Sequence, residues 1–76
     1  MMLSPSERLK IDTEAASVKF DSVIRANKDM VEFMYNDVKL TLYPNGSVMF
    51  YHFTDLEAAR GYTDEVISKV VGSEGE

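Results

Sequence analysis

The chain contains no cysteine and no tryptophan, a single histidine, and only two prolines and four glycines. The missing cysteines exclude disulfides, thiolate nucleophiles, iron–sulfur clusters and cysteine-based zinc sites. His52 has no second histidine or cysteine to complete a metal or nucleophile set, so a surface position on a strand accounts for it, and no cofactor or metal is expected. Positive charge is also scarce, with 8 Lys and Arg against 13 Asp and Glu and a net charge of −5. Without a basic run, phosphate backbones and anionic membrane surfaces are repelled on average. No apolar run is long enough to span a bilayer, and MMLSPSERLK lacks the apolar centre of a signal peptide, so the expected location is cytoplasmic. What remains is a chain of 76 residues, 45% hydrophobic, with 4 Phe and 4 Tyr. That composition folds, as one domain with a small core, since a chain of this size buries about 60% of its unfolded surface.

The strongest local signal is TLYPNGSVMFYHF (Thr41 to Phe53), in which Asn45-Gly46 suits the positive backbone angles of a two-residue hairpin turn between strand-forming residues. That turn pairs Tyr43 with Val48, Leu42 with Met49, Thr41 with Phe50 and Lys39 with His52. Upstream, MVEFMYND followed by VKLTL predicts a second hairpin at Asn36-Asp37, pairing Tyr35 with Val38, Phe33 with Leu40 and Val31 with Leu42. Together the two registers place Val31, Phe33, Tyr35, Val38, Leu40, Leu42, Met49, Tyr51 and Phe53 on one apolar side. Met30, Glu32, Met34, Lys39, Thr41, Tyr43, Val48, Phe50 and His52 fall on the other.

Thr54-Asp-Leu-Glu57 reads as a capping box that opens a helix at Asp55. Leu56, Ala59, Val66, Ile67 and Val70 recur at helical spacing and cover the apolar side of the sheet, Gly61 implies close backbone packing or a bend, and Gly72 is placed to end the helix. In the N-terminal third, RLKID (Arg8 to Asp12) alternates like a strand. Thr13-Glu14 then opens a short helix carrying Ala16 and Phe20, leading to a strand near Val23 to Ala26. The competing parse runs a helix from Ser4-Pro5-Ser6-Glu7 through Ala16, with a strand from Val18 to Arg25. The expected architecture is an α+β two-layer sandwich in which an antiparallel sheet of four to five strands is covered on one face by two helices, in the order β-α-β-β-β-β-α. Residues 1–7 read as an N-terminal extension, 8–72 as the domain and 73–76 as a flexible tail.

Two helices can cover only one side of such a sheet. The other presents Met30, Met34, Lys39, Thr41, Tyr43, Val48, Phe50 and His52, too much apolar surface to leave in water unless the N-terminal segment folds over it or the sheet curls. Methionines among aromatics suit adaptable protein contacts, so this face is the candidate binding surface, for a protein partner or for a second copy in a homodimer. Asp55 and Glu57 are explained as helix-start carboxylates, and a catalytic role for them requires a pocket on which they converge.

Ile11-Asp-Thr-Glu-Ala, Val23-Ile-Arg-Ala-Asn27, Val31-Glu-Phe33, Leu40-Thr-Leu-Tyr-Pro-Asn-Gly46 and Thr54-Asp-Leu-Glu-Ala-Ala-Arg60-Gly-Tyr62 together resemble the small C-terminal domain of ThiF/MoeB-type adenylyltransferases, which activate ubiquitin-like sulfur carriers. The resemblance spans about Leu9 to Gly72 and implies a topology like half of a TATA-box-binding protein. It also implies an adenylyltransferase core or ubiquitin-like carrier as partner. The family's Gly-rich nucleotide loop, catalytic Arg and Lys and zinc-binding cysteines have no counterpart here, and Ser47 stands where a basic residue is common. No catalytic residue therefore carries over, and the expected function is a noncatalytic interaction or accessory domain. The alternatives are a nucleic-acid-binding module similar to the TATA-box-binding protein, against which the acidic balance argues, and a small enzyme subunit of unidentified substrate.

Overall fold

The computed structural model describes residues 1–5 and 9–71, the side chain of Val71 excepted. Strand β1 (Met2–Leu3) is followed by a short helix α1 (Thr13–Ala16), a single 3-10 turn (Ser17–Lys19), strands β2 (Ser22–Asn27), β3 (Met30–Tyr35), β4 (Val38–Leu42) and β5 (Val48–Phe50), and the long helix α2 (Leu56–Val71). The strands form one antiparallel sheet in the order β1-β5-β4-β3-β2. This is the expected α+β sandwich, with both helices contributing to a core on one side of the sheet.

The first strand is not where the alternation of RLKID placed it. Met2–Leu3 pairs with β5 at the sheet edge, so part of the supposed extension belongs to the sheet. Leu9 and Ile11 instead donate their amides to the carbonyls of Asn45 and Pro44, at 3.0 and 2.9 Å, without entering a strand. The longer N-terminal helix does not form, because Leu9 to Asp12 are not helical. Asp12 caps α1 by accepting from the Ala15 amide at 3.1 Å, the role its short carboxylate suits.

The β3–β4 hairpin follows the predicted register, with Tyr35 opposite Val38, Phe33 opposite Leu40 and Val31 opposite Leu42. Asn36 and Asp37 have φ of +50° and +67°, both in the left-handed region that a type I′ turn requires. The β4–β5 hairpin does not follow its predicted register. Leu42 faces Val48, Thr41 faces Met49 and Leu40 faces Phe50, one residue away from the expected pairing. The loop is Pro44-Asn45-Gly46: the Tyr43 amide donates to the Ser47 carbonyl and the Gly46 amide to the Tyr43 carbonyl, each at 2.9 Å. Gly46 alone in this loop is left-handed, at φ +96°, as in a type I turn closed by a glycine bulge. In a two-residue loop, position 44 would donate its amide to Ser47, and proline has no amide hydrogen to donate.

A one-residue slip turns every side chain of a strand over. Val48 and Phe50 therefore join Val31, Phe33, Leu40 and Leu42 in the core, where they meet Ala16 of α1 and Ala59, Val66 and Val70 of α2. Met49 and Tyr51, expected inside, move to the other face. An unbroken run of aromatic contacts crosses the core from Phe20, stacked on Phe33 at 4.0 Å, through Tyr35 and Tyr62 to Phe53 and Phe50.

Helix α2 begins one residue later than the capping box implied. Asp55, not Thr54, is the cap, accepting from the Ala58 amide at 3.1 Å. Leu56 consequently points to solvent, 46% exposed, while Ala59 and Val66 keep their expected places. At Gly61 an added Cβ would meet nothing within 4 Å, so neither close packing nor a contact explains this glycine. Gly72 and the 73–76 tail lie outside the described residues.

Candidate functional site

The sheet face away from the helices is a grid whose rows follow from strand register. One row runs Arg25, Glu32, Thr41, Met49, Met2 across β2, β3, β4, β5 and β1. The row beside it holds Ser22, Met34 and Lys39 and continues to Tyr51, whose amide donates to the Lys39 carbonyl at 3.1 Å. On the other side lie Asn27 and Met30. Tyr43, two residues beyond Thr41, shares their face by strand alternation. Of the described N-terminal residues, Met2–Leu3 joins the sheet edge as β1 rather than crossing this grid.

The centre of the face is polar and internally satisfied. Glu32 is 7% exposed and is held by Lys39 Nζ at 3.3 Å, with Arg25 Nε at 3.9 Å. Lys39 also sits 5.0 Å over the Tyr51 ring, a favourable cation–π placement, and the Tyr51 and Thr41 hydroxyls share a hydrogen bond of 3.0 Å. Thr41 is thereby fully buried although no second layer lies above it. Around this network stand the thioethers. Met2 and Met34 are 45% and 39% exposed, and Met30, Met49 and Tyr43 are half-buried.

The structure brings together Met30, Met34, Lys39, Thr41 and Tyr43 as expected and removes three others. Val48 and Phe50 are buried in the core, because the Pro44 loop reverses β5. His52 does not face Lys39; it is exposed at a left-handed bend with φ +54°, which lets Tyr51 and Phe53 serve opposite sides of the sheet. In exchange the face gains Met2, Met49, Tyr51 and Arg25. The proline of the 44 to 46 loop is the sequence signal for Met49 and Tyr51. Arg25 carries no such signal, since a register shift between Val23 and Arg25, a bulge, turns it beside Glu32 while Val23 stays on the core side.

Beside the open face, a cleft of about 430 Å³ is lined by Lys19, Asp21, Tyr35, Asp37 and Lys69, with no histidine among them. Another cleft, of about 590 Å³, lies between the described N-terminal residues and α2, lined by the apolar Leu3, Pro5, Leu9 and Ile67 and by Arg60 and Asp64. His52, Asp55 and Glu57 do not line it, and Asp55 is occupied as a helix cap. Among the described residues no three His, Asp or Glu side chains are grouped closely enough to hold a metal ion. No helix of the described residues is long and apolar enough to cross a membrane. No family model, curated protein or solved structure matches the chain.

Proposed function

We propose that the chain is a noncatalytic protein-interaction or accessory module of the cytoplasm that docks a protein through the open sheet face. The observation that carries this reading is the collection of Met2, Met30, Met34 and Met49 on the one side of the sheet that neither helix covers. Apolar surface of this kind gains free energy by leaving water, at about 25 cal/mol per Å², and flexible thioethers adapt to differently shaped partners. At about 4.8 Å between strands and 3.3 Å per residue, the sheet presents on the order of 400 Å² of planar area. That is roughly half of the ~800 Å² each partner contributes to a standard stable interface. The complex belongs in the transient class unless the partner also reaches around an edge.

The resemblance to ThiF/MoeB C-terminal domains names the first partners to try, an adenylyltransferase core and a ubiquitin-like sulfur carrier. Labelling the methionine methyl groups with carbon-13 tests the reading directly. On titration with either protein, the resonances of the four face methionines should shift and Met1, which lies opposite Phe50 at the edge, should stay in place. Shifts confined to Met1 and to amides of α2 would refute docking through this face.

A further inference from the structure

Resting on that docking reading, we infer that the partner presents an acidic amphipathic segment, apolar side chains flanked by carboxylates. Among the described residues, the exposed charge at the centre of the face is positive, with the Asp21 and Asp37 carboxylates at its border beside Ser22 and Met34. The Arg25 and Lys39 side chains are 68% and 44% exposed, whereas that of Glu32, between them, is 10% exposed. Two cations and one carboxylate leave the face at +1 on a chain of net −5, so the remaining surface carries −6. Arg25 Nε stands 3.9 Å from Glu32, beyond hydrogen-bond range, which leaves its planar fork able to take an incoming carboxylate in bidentate fashion. The thioethers of Met2, Met30, Met34 and Met49 offer the apolar bed beside these cations.

The same charges separate this partner from its rivals. A second copy docked face to face would bring together two faces that each carry +1, between two acidic bodies. Duplex DNA would find only two exposed cations, for which binding falls with salt on a log–log slope of about −2, and acidic flanks around them. Short-range pairing on the face opposes the long-range pull of the whole molecule, because screening over about 8 to 10 Å makes the nearest charges dominate in the bound state.

A labelled amphipathic peptide with Leu on one side and Glu on the flanks, and a twin with Lys for Glu, make the test. The net charge of the protein favours the Lys twin; the face favours the Glu peptide. By fluorescence anisotropy at about 0.15 M salt, where screening over about 8 Å leaves the nearest charges dominant, the Glu peptide should bind at least about ten-fold more tightly. The double change Arg25→Gln and Lys39→Gln should bring the two peptides to parity with far-UV circular dichroism unchanged. Equal or reversed preference in the wild type overturns the inference, as does tighter binding of a 20-bp duplex, or a sedimenting dimer that excludes the peptide. If the Lys twin binds better and Met34→Ser abolishes that binding, docking stands and the acidic partner falls. If neither peptide binds and neither candidate protein moves the methionine resonances, both fall.

Discussion

The two hairpins that share β4 carry similar turn signals and obey different rules. At Asn36-Asp37 the two central residues both enter the left-handed region and β3 meets β4 in the two-residue register. At Pro44-Asn45-Gly46 the loop is one residue longer, and only Gly46 is left-handed. The difference is one hydrogen atom, the amide that proline lacks. Its consequence is that Phe50 lies in the core with α2 and Met49 lies on the open face, so the composition of that face is set by turn chemistry several residues away.

The largest test of this contrast is within β5. Phe50→Ala should cost about 3–5 kcal/mol through loss of a buried aromatic, and Phe50→Glu should prevent folding. Met49→Ala should cost under about 1 kcal/mol, as partly exposed positions usually do. Urea denaturation followed by circular dichroism measures both, and the reverse ranking would mean that β5 pairs in the two-residue register.

The glycines give the next contrast. An alanine at Gly46 would sit at φ +96° with its Cβ 2.8 Å from Leu9 Cδ1, so Gly46→Ala should destabilise by about 2 kcal/mol or more, from left-handed strain together with the clash. Gly61→Ala meets no obstacle and should stabilise by up to about 1 kcal/mol through helix propensity. Thermal midpoints moving in opposite directions would establish that one glycine is conformationally required and the other is not. A smaller effect separates the turns themselves. Asp37→Gly, at φ +67°, should stabilise by about 0.5 kcal/mol, relief of strain exceeding the added freedom of the unfolded chain.

The smallest effect is at Tyr35, the closing residue of the first hairpin. Its hydroxyl donates to Glu65 of α2, and that hydrogen bond, followed by burial and the carboxylate's charge, pushes its pKa up to about 12. Because the folded pKa lies above the ordinary value of 10, the contribution to stability is complete below pH 10 and is lost as pH rises through about 12. In an absorbance titration one of the four tyrosines should ionise late, and Tyr35→Phe should remove that step. A Tyr35→Phe protein with an unchanged late step would place the raised group elsewhere.

Residue patterns alone established the α+β class, the β3–β4 register and the sheet-facing stripe Ala59, Val66 and Val70, because each depends on short-range periodicity or on a local turn; they left α1 open between a start at Thr13 and a longer helix from Ser4, which the structure decides with Asp12 as the cap. They also placed Met30, Met34, Lys39, Thr41 and Tyr43 on one face. Tertiary structure alone decided that Met2–Leu3 closes the sheet edge, that a bulge turns Arg25 toward Glu32, and that Tyr51 seals Thr41. These arrangements join residues far apart in the chain through backbone pairing that no local pattern encodes. The reversal of β5 belongs between the two: it was written in Pro44, but only as a missing donor, and it becomes visible when every backbone hydrogen bond of the turn is assigned a partner.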